Sequence, residues 1–232
     1  TAAGDLRAAY NAIELAATTT PPSDSGIVHI TLDDAEQSIQ KKAMSVDTNA
    51  YYHLLSAFCK SLRGSDSDAA VYYSQRLIKA GCDPLLIARR LIAHSAEDVG
   101  LADPYALTIA VSALTALQNI GVPEGLLPLT EAIIYVCEAN KSNAVVVALN
   151  EAASDAEKVK DDDIPPYLIN PVYRSKEDKL ESAKYKYPHD YGEYVEQQYL
   201  PNKLKDRRYF RPTGHGYESK IIARRKDKGV RK

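Results

Sequence analysis

Apolar positions recur at three- and four-residue intervals through the first 160 residues, the spacing that gathers them on one side of a helix. Leu6, Tyr10, Ile13 and Ala17 follow it, so residues 5–17 read as one amphipathic helix. A polar loop, TTTPPSDSG, fills 18–26, and residues 27–30 suit either a very short strand or an extended lead-in. Thr31 and Asp34 then form a helix-start pair: a hydroxyl accepts from a free amide while a carboxylate favours the positive end. A helix over 32–43 is expected to follow. Next, Leu54, Leu55, Phe58 and Leu62 line a face that Gly64 stops, and Asp66 caps a helix ending at Gly81. Asp83 precedes Pro84, a cap followed by proline at the first helical position, where its missing N–H costs nothing. Ile87, Leu91 and His94 continue on one stripe up to Gly100. Asp103 and Pro104 repeat the start signal, followed by Leu107, Val111, Leu114 and Leu117 before Gly121. Pro123 opens a helix through Ile133, Ile134 and Cys137 to Asn140, and Ser142 caps the last, with Val146, Leu149 and Ala153 facing one way. These elements predict an all-α, antiparallel helical array large enough to bury its own core.

The run DDD at 161–163, followed by Pro165 and Pro166, marks a boundary. Beyond it Pro171, Pro188, Pro201 and Pro212 interrupt every candidate helix. Short helices over 175–184 and 191–199, and a basic one over 216–228, are expected. Nine of the 16 tyrosines lie in the last 72 residues, which suggests a segment that packs down on something.

The composition of the 232 residues, 26% charged and 45% apolar, excludes collagen, a wholly disordered chain and a disulfide-dense scaffold. No apolar run approaches the ~20 residues that span a bilayer, and no segment reads as a signal peptide. Thr1 is not an initiator methionine, which fits a fragment or a processed chain. Cys59, Cys82 and Cys137 fall in apolar-periodic segments, as core thiols of a reduced, cytoplasmic chain would. The net charge of -2 hides an asymmetry: residues 1–160 hold 12 Lys+Arg against 19 Asp+Glu, whereas 203–232 hold 12 against 3.

Catalytic signals are sparse. No G-x-x-x-x-G-K-[ST] is present to cradle phosphates, and Gly214-His215-Gly216 reads as a turn. No G-x-S-x-G elbow and no close Cys/His pairs occur, so neither a catalytic nor a metal centre is expected. His94 reads as a half-buried histidine bonded to a neighbour. Glu97 and Asp98 point about 100° apart on a helix, which suits a helix cap or a subunit contact better than an acid/base dyad. The basic residues Lys203, Lys205, Arg207, Arg208, Arg211, Arg224 and Arg225, interleaved with Tyr209 and Phe210, fit phosphate-backbone contact with base stacking. They fit equally a solubilising tail or a surface docked on an acidic body.

Four stretches carry a family resemblance. KSLRGSD at 60–66 with DAA at 68–70 is one; IARRL at 87–91 leading into SAEDVGLADP at 95–104 is the most distinctive. KSN at 141–143 before a valine-rich helix is the third. YKYPHD at 185–190, QQYLP at 197–201, and Pro212-Thr213 with GYE at 216–218 close the chain. Together they resemble the C-terminal part of the replication-associated recombination protein A family of AAA-type ATPases, also called MgsA, which includes the Werner-helicase-interacting ATPase. Ser67 stands where the family usually has proline, His53 where an acidic residue is common, and 164–184 match poorly. The resemblance implies a partial AAA lid over 1–46, a helical oligomerisation domain like a clamp-loader collar over 47–160, and a family-specific extension over 161–232. It makes Arg7, in the GDLR run at 4–7, the sensor-2 residue that reaches the terminal phosphates of ATP bound with Mg elsewhere in the parent ATPase; the chain alone is expected to bind none. It further implies a homo-oligomer, as a tetramer, a parent that works on DNA at stalled replication forks, an association with single-stranded-DNA-binding protein, and no membrane.

Overall fold

Each expected helix needs a surface for its apolar stripe, and five consecutive helices find it in one another. The computed structural model describes residues 6–38, 48–159, 164–169 and 185–229. Its helices are α1 (Leu6–Thr19), α2 (Leu32–Ser38), α3 (Thr48–Arg63), α4 (Ser67–Lys79), α5 (Pro84–His94), α6 (Tyr105–Ile120), α7 (Leu126–Glu138), α8 (Ala144–Ala156) and α9 (Tyr217–Asp227). Among the described residues there is no strand, so the all-α class holds. No helix of the described residues is long and apolar enough to cross a membrane.

Local chemistry explains where the helices begin. The Thr31 N–H donates to Asp34 Oδ2 at 2.9 Å while Asp34 N–H donates back to Thr31 Oγ1 at 3.3 Å, a reciprocal cap on α2. Residues 27–30 are extended without pairing. Asp66 accepts from the Ala69 amide at 2.9 Å to cap α4, and Asp83 from the Leu85 amide at 2.9 Å to cap α5. Asp103 accepts from the Tyr105 amide at 3.0 Å at the head of α6. Each bond satisfies a donor that the helix itself leaves unpaired.

The core is built by Phe58 and Leu62 of α3, Ala70 and Leu77 of α4, Ile87, Ala88 and Leu91 of α5, and the inner faces of α6 and α7. Two stripes are turned relative to expectation. On α6 the buried residues are Ala106, Ala110, Ala113 and Leu117, while Leu107 and Val111 stay 43% and 44% exposed. α6 is apolar nearly all round, so periodicity cannot choose its inner face; it wedges between α5 and α7, and small side chains suit that crowded site. On α8 the inward face carries Ala148 and Asp155, and Leu149 and Ala153 face water. α7 starts at Leu126 after a turn over 122–125 rather than at Pro123.

The C-terminal part departs most. The expected helix over 175–184 lies outside the described residues. Over 191–199 no α-helix forms: the 3₁₀ turn at Pro188–Tyr191 runs into a turn at 192–193, and 194–199 carry no regular element. The Gln197 side chain instead reaches back across the turn: it accepts from the Lys186 amide at 3.2 Å and donates to the Lys186 carbonyl at 2.8 Å, tying this run to residue 186. α9 matches the expected basic helix, and 214–216 is a turn as read.

Candidate functional site

Part of each of the four stretches that carry the family resemblance, far apart in sequence, meets at one place. A cleft of about 490 Å³ is lined by Arg63 from the first, Glu97 and Asp98 from the second, Lys141, Ser142 and Asn143 from the third, and Thr213 from the last with its neighbour His215.

A single π-type turn, Ser95–Val99, organises it. Its wider winding brings His94, Glu97 and Asp98 to one side, where Arg63 grips both carboxylates: Nη2 lies 2.7 Å from Glu97 Oε1 and Nε 2.7 Å from Asp98 Oδ1. Asp98 Oδ2 also meets His94 Nδ1 at 2.7 Å, which fulfils the reading of His94 as a histidine bonded to a neighbour. The expectation of a cap or subunit contact for Glu97 and Asp98 becomes an ion pair within the chain, because the fold places Arg63 beside them. His94 is pushed up to about 9, first by its bond with the Cys59 thiol and then by Asp98, against burial, which favours the neutral ring. Arg63 is held above its usual value by Asp98. The ligand atoms of His94, Glu97 and Asp98 lie within 4.8 Å of one another, close enough for a cation, but a guanidinium already fills that role.

Lys141 closes the end of α7, its ammonium donating to the carbonyls of Val136, Cys137 and Ala139 at 2.8, 2.7 and 2.9 Å. It compensates the negative pole of the helix, and burial lowers its pKa. The Ser142 amide donates to the Asp98 carbonyl at 2.8 Å, locking the π turn to the head of α8. The Ser142 hydroxyl accepts from the Ala144 amide at 3.2 Å, the expected cap, and donates to Glu218 Oε1 at 2.7 Å. Glu218 is completely buried, and its other oxygen takes the Thr213 hydroxyl at 2.8 Å. His215 Nδ1 lies 3.0 Å from the Lys141 carbonyl oxygen.

Gly216 sits at φ +51°, and a Cβ there would overlap the Ala102 carbonyl oxygen. Its neighbourhood is therefore filled by backbone, and the GHG turn is a docking joint rather than a phosphate cradle.

Of the basic residues singled out, Arg207 makes two contacts with Asp155, Nε to Oδ2 at 2.7 Å and Nη2 to Oδ1 at 2.9 Å. Tyr209 adds its hydroxyl to the same carboxylate at 3.2 Å, and Arg211 pairs with Glu151. Both acceptors are on α8, so two of the seven cations fasten the extension to its own body. Arg208 donates to the Arg207 carbonyl at 2.8 Å and Arg224 to the Tyr217 hydroxyl at 3.0 Å. Arg225 lies 5.1 Å over the Phe210 ring. Lys203 and Lys205 are exposed. Arg7 sits in the first turn of α1, and its side chain lies outside the described residues. Sequence reasoning missed Asp155, Glu151 and Glu218; the excess of acid before 160 and of base after 203 was the signal for the first two.

Residues 64–228 match the family described as MgsA AAA+ ATPase C terminal, and residues 1–63 match the AAA C-terminal domain. The chain belongs to the MgsA family. Its similarity to the replication-associated recombination protein A of Bacillus subtilis is 44% identity over 222 residues, 94% of this chain and 52% of that protein. The protein of the same name from Escherichia coli K12 is 36% identical over 222 residues, 94% of this chain and 50% of that protein. ATPase WRNIP1 of Dictyostelium discoideum is 32% identical over 226 residues, 89% of this chain and 26% of that protein. The MgsA-type chain thus spans about half the length of these two bacterial relatives.

Proposed function

We propose that this chain is the lid and subunit-assembly portion of a longer, cytoplasmic DNA-dependent ATPase of the MgsA family that acts in replication-fork maintenance and recombination. In this reading 1–46 belong to the lid, 47–160 are a collar-like oligomerisation domain, and 161–232 are the extension. The observation that carries the assembly role is the apolar surface left over once the core is full. Leu107 and Val111, one turn apart on α6, are exposed, as are Leu127 and Ile134 on α7. Apolar side chains left in water at this frequency favour cover by another chain. A homo-oligomer, as a tetramer, would cover it.

The lid role rests on α1 and α2, which pack on each other and leave Tyr10 69% exposed and Ile13 beside it. Arg7, on the first turn of α1, is the residue assigned to the terminal phosphates of ATP bound with Mg by the rest of the parent protein. Arginine is permanently charged and forks onto phosphate oxygens, so it can couple nucleotide state to lid position.

Light scattering on the chain tests assembly. The expected result is an oligomer that Val111→Asp dissociates; a monomer at every concentration overturns the reading. In the full-length protein Arg7→Ala is expected to reduce ATP turnover, and unchanged turnover removes the sensor assignment.

A second reading has its own observation. Among the described residues Arg208, Arg224 and Arg225 bond neutral groups, so their charge stays available to a phosphate backbone. That favours a helical module contacting DNA or single-stranded-DNA-binding protein, alone or within a clamp-loader-like subunit. DNA binding that falls steeply with salt and vanishes on deletion of 203–232 supports it; salt-independent binding counts against it.

A further inference from the structure

Cys59 differs from the other two cysteines. Cys82 and Cys137 are buried, and burial pushes both thiols up, Cys137 to about 11. Cys59 is only half-buried, on α3 at the edge of the core. Arg63 lies four residues further on and therefore on the same face of that helix. Arg63 Nε holds Asp98 Oδ1 and His94 Nδ1 holds Asp98 Oδ2, both at 2.7 Å. With Nδ1 so engaged, Nε2 is the ring nitrogen left for the bond that His94 makes with the Cys59 thiol. Sulfur, imidazole and carboxylate thus stand in a row, supplied by α3, α5 and the π turn, with a guanidinium alongside. Cys59 and His94 are 35 positions apart, so spacing along the chain hid the pair.

We propose that Cys59 is a modification site, a reactive thiol that small hydroperoxides oxidise to sulfenic acid, with His94 as the proton donor and Asp98 and Arg63 as positioning residues. The inference rests on neither the assembly reading nor the DNA reading. The thiolate sulfur attacks the terminal peroxide oxygen. An S–O bond forms and the O–O bond breaks, so sulfur gives up two electrons and the peroxide takes them. The leaving hydroxide or alkoxide receives the proton of His94 Nε2 and departs as water or an alcohol. Cys59 is left as S–OH beside a neutral His94.

The surroundings suit each part of this step. Positive neighbours favour the thiolate, which is the nucleophile. His94 keeps its proton up to about 9, so at neutral pH the ring is a cation with a proton to give. Asp98 fixes that ring from its far side, as the third group does wherever an acid or base serves a nucleophile. The charged groups acting on His94 are Cys59 and Asp98, and Glu97 is drawn off by Arg63. Arg63 and Asp98 also line the 490 Å³ cleft, which brings solvent to the cluster. Oxidation follows thiolate character and exposure, and Cys59 combines the two where Cys82 and Cys137 have neither.

The test exposes the reduced 232-residue chain to hydrogen peroxide in the presence of dimedone and locates the adduct by mass spectrometry. Cys59 is expected to carry it, about tenfold or more ahead of Cys82 and Cys137, and His94→Gln should slow its formation by a similar factor. Equal labelling of the three cysteines overturns the proposal, as does an unchanged rate at Cys59 in a folded His94→Gln chain. If that variant unfolds, Cys59→Ser decides, because it is a conservative change at a half-buried position. NMR titration should place His94 near 9 in the native chain and about one unit or more lower in Cys59→Ser. A midpoint unmoved by Cys59→Ser would show that sulfur and ring are not coupled, and the proposal falls.

Discussion

Phe58, Leu62, Ile87 and Leu91 are sealed from water by other apolar side chains, whereas Glu218 is sealed by the hydroxyls of Ser142 and Thr213. The helical body and the C-terminal extension therefore bury comparable depths of structure by different means. In the body the stabilisation is non-directional and scales with area, so it tolerates a turned stripe such as that of α6. In the extension it is directional. Asp155 needs Arg207 and Tyr209, Glu218 needs Ser142 and Thr213, and Gly216 needs to lack a side chain. Buried carboxylates are costly unless every oxygen is satisfied, so this region has one acceptable geometry or none. A chain that lies down on a preformed body through polar contacts is held in register more tightly than by apolar contact alone.

The contrast can be broken first in the body. Leu91→Ala, which empties a completely buried site, should cost about 2–5 kcal/mol and shift the global denaturant midpoint. If only the extension became sensitive to protease, the two regions would not be ordered as described. A smaller and local effect is expected from Glu218→Ala. It leaves the buried Ser142 hydroxyl, and the Thr213 donors beside it, without their acceptor, at about 1–3 kcal/mol. Limited proteolysis should then cut within 185–229 while α3 to α7 stay protected.

His94 sharpens the comparison inside the joint between the regions. Its pKa in the folded chain is about 9, above the ordinary 6.5. The stability it lends is complete below about pH 6.5 and is lost as pH rises through about 9. Stability in thermal melts should decline across that window, and His94→Gln should flatten the decline. An unchanged slope in the variant would assign it to other groups. The smallest effect is that of salt. Arg207 and Arg211 are half exposed, so raising ionic strength should loosen the extension in hydrogen exchange and leave the body's protection unaltered.

Much of the body was legible beforehand because its signals are local. Asp66, Asp83 and Asp103 cap helices through their own neighbours' amides, and glycine and proline end or start elements without reference to distant residues. The inner faces of α6 and α8 were not legible, since both helices offer apolar residues on more than one side and only the neighbours choose among them. The non-helical run over 194–199 was not legible, since the contact that ties it down joins Gln197 to Lys186 eleven positions back. At the candidate site each motif could be read separately. Their convergence could not, because Arg63, Asp98, Lys141 and Thr213 share no periodicity.

What the amino-acid sequence determined by itself was the class and rhythm of the chain. Helical periodicity, caps and breakers act over a few residues and need no partner. The tertiary structure alone decided that Arg63 meets Glu97 and Asp98, that Asp155 turns inward to receive Arg207, and that Gly216 lies on Ala102. Such pairings join positions 34 to 114 residues apart. Their energies depend on distance and on exclusion of water, quantities that exist only once the helices have packed.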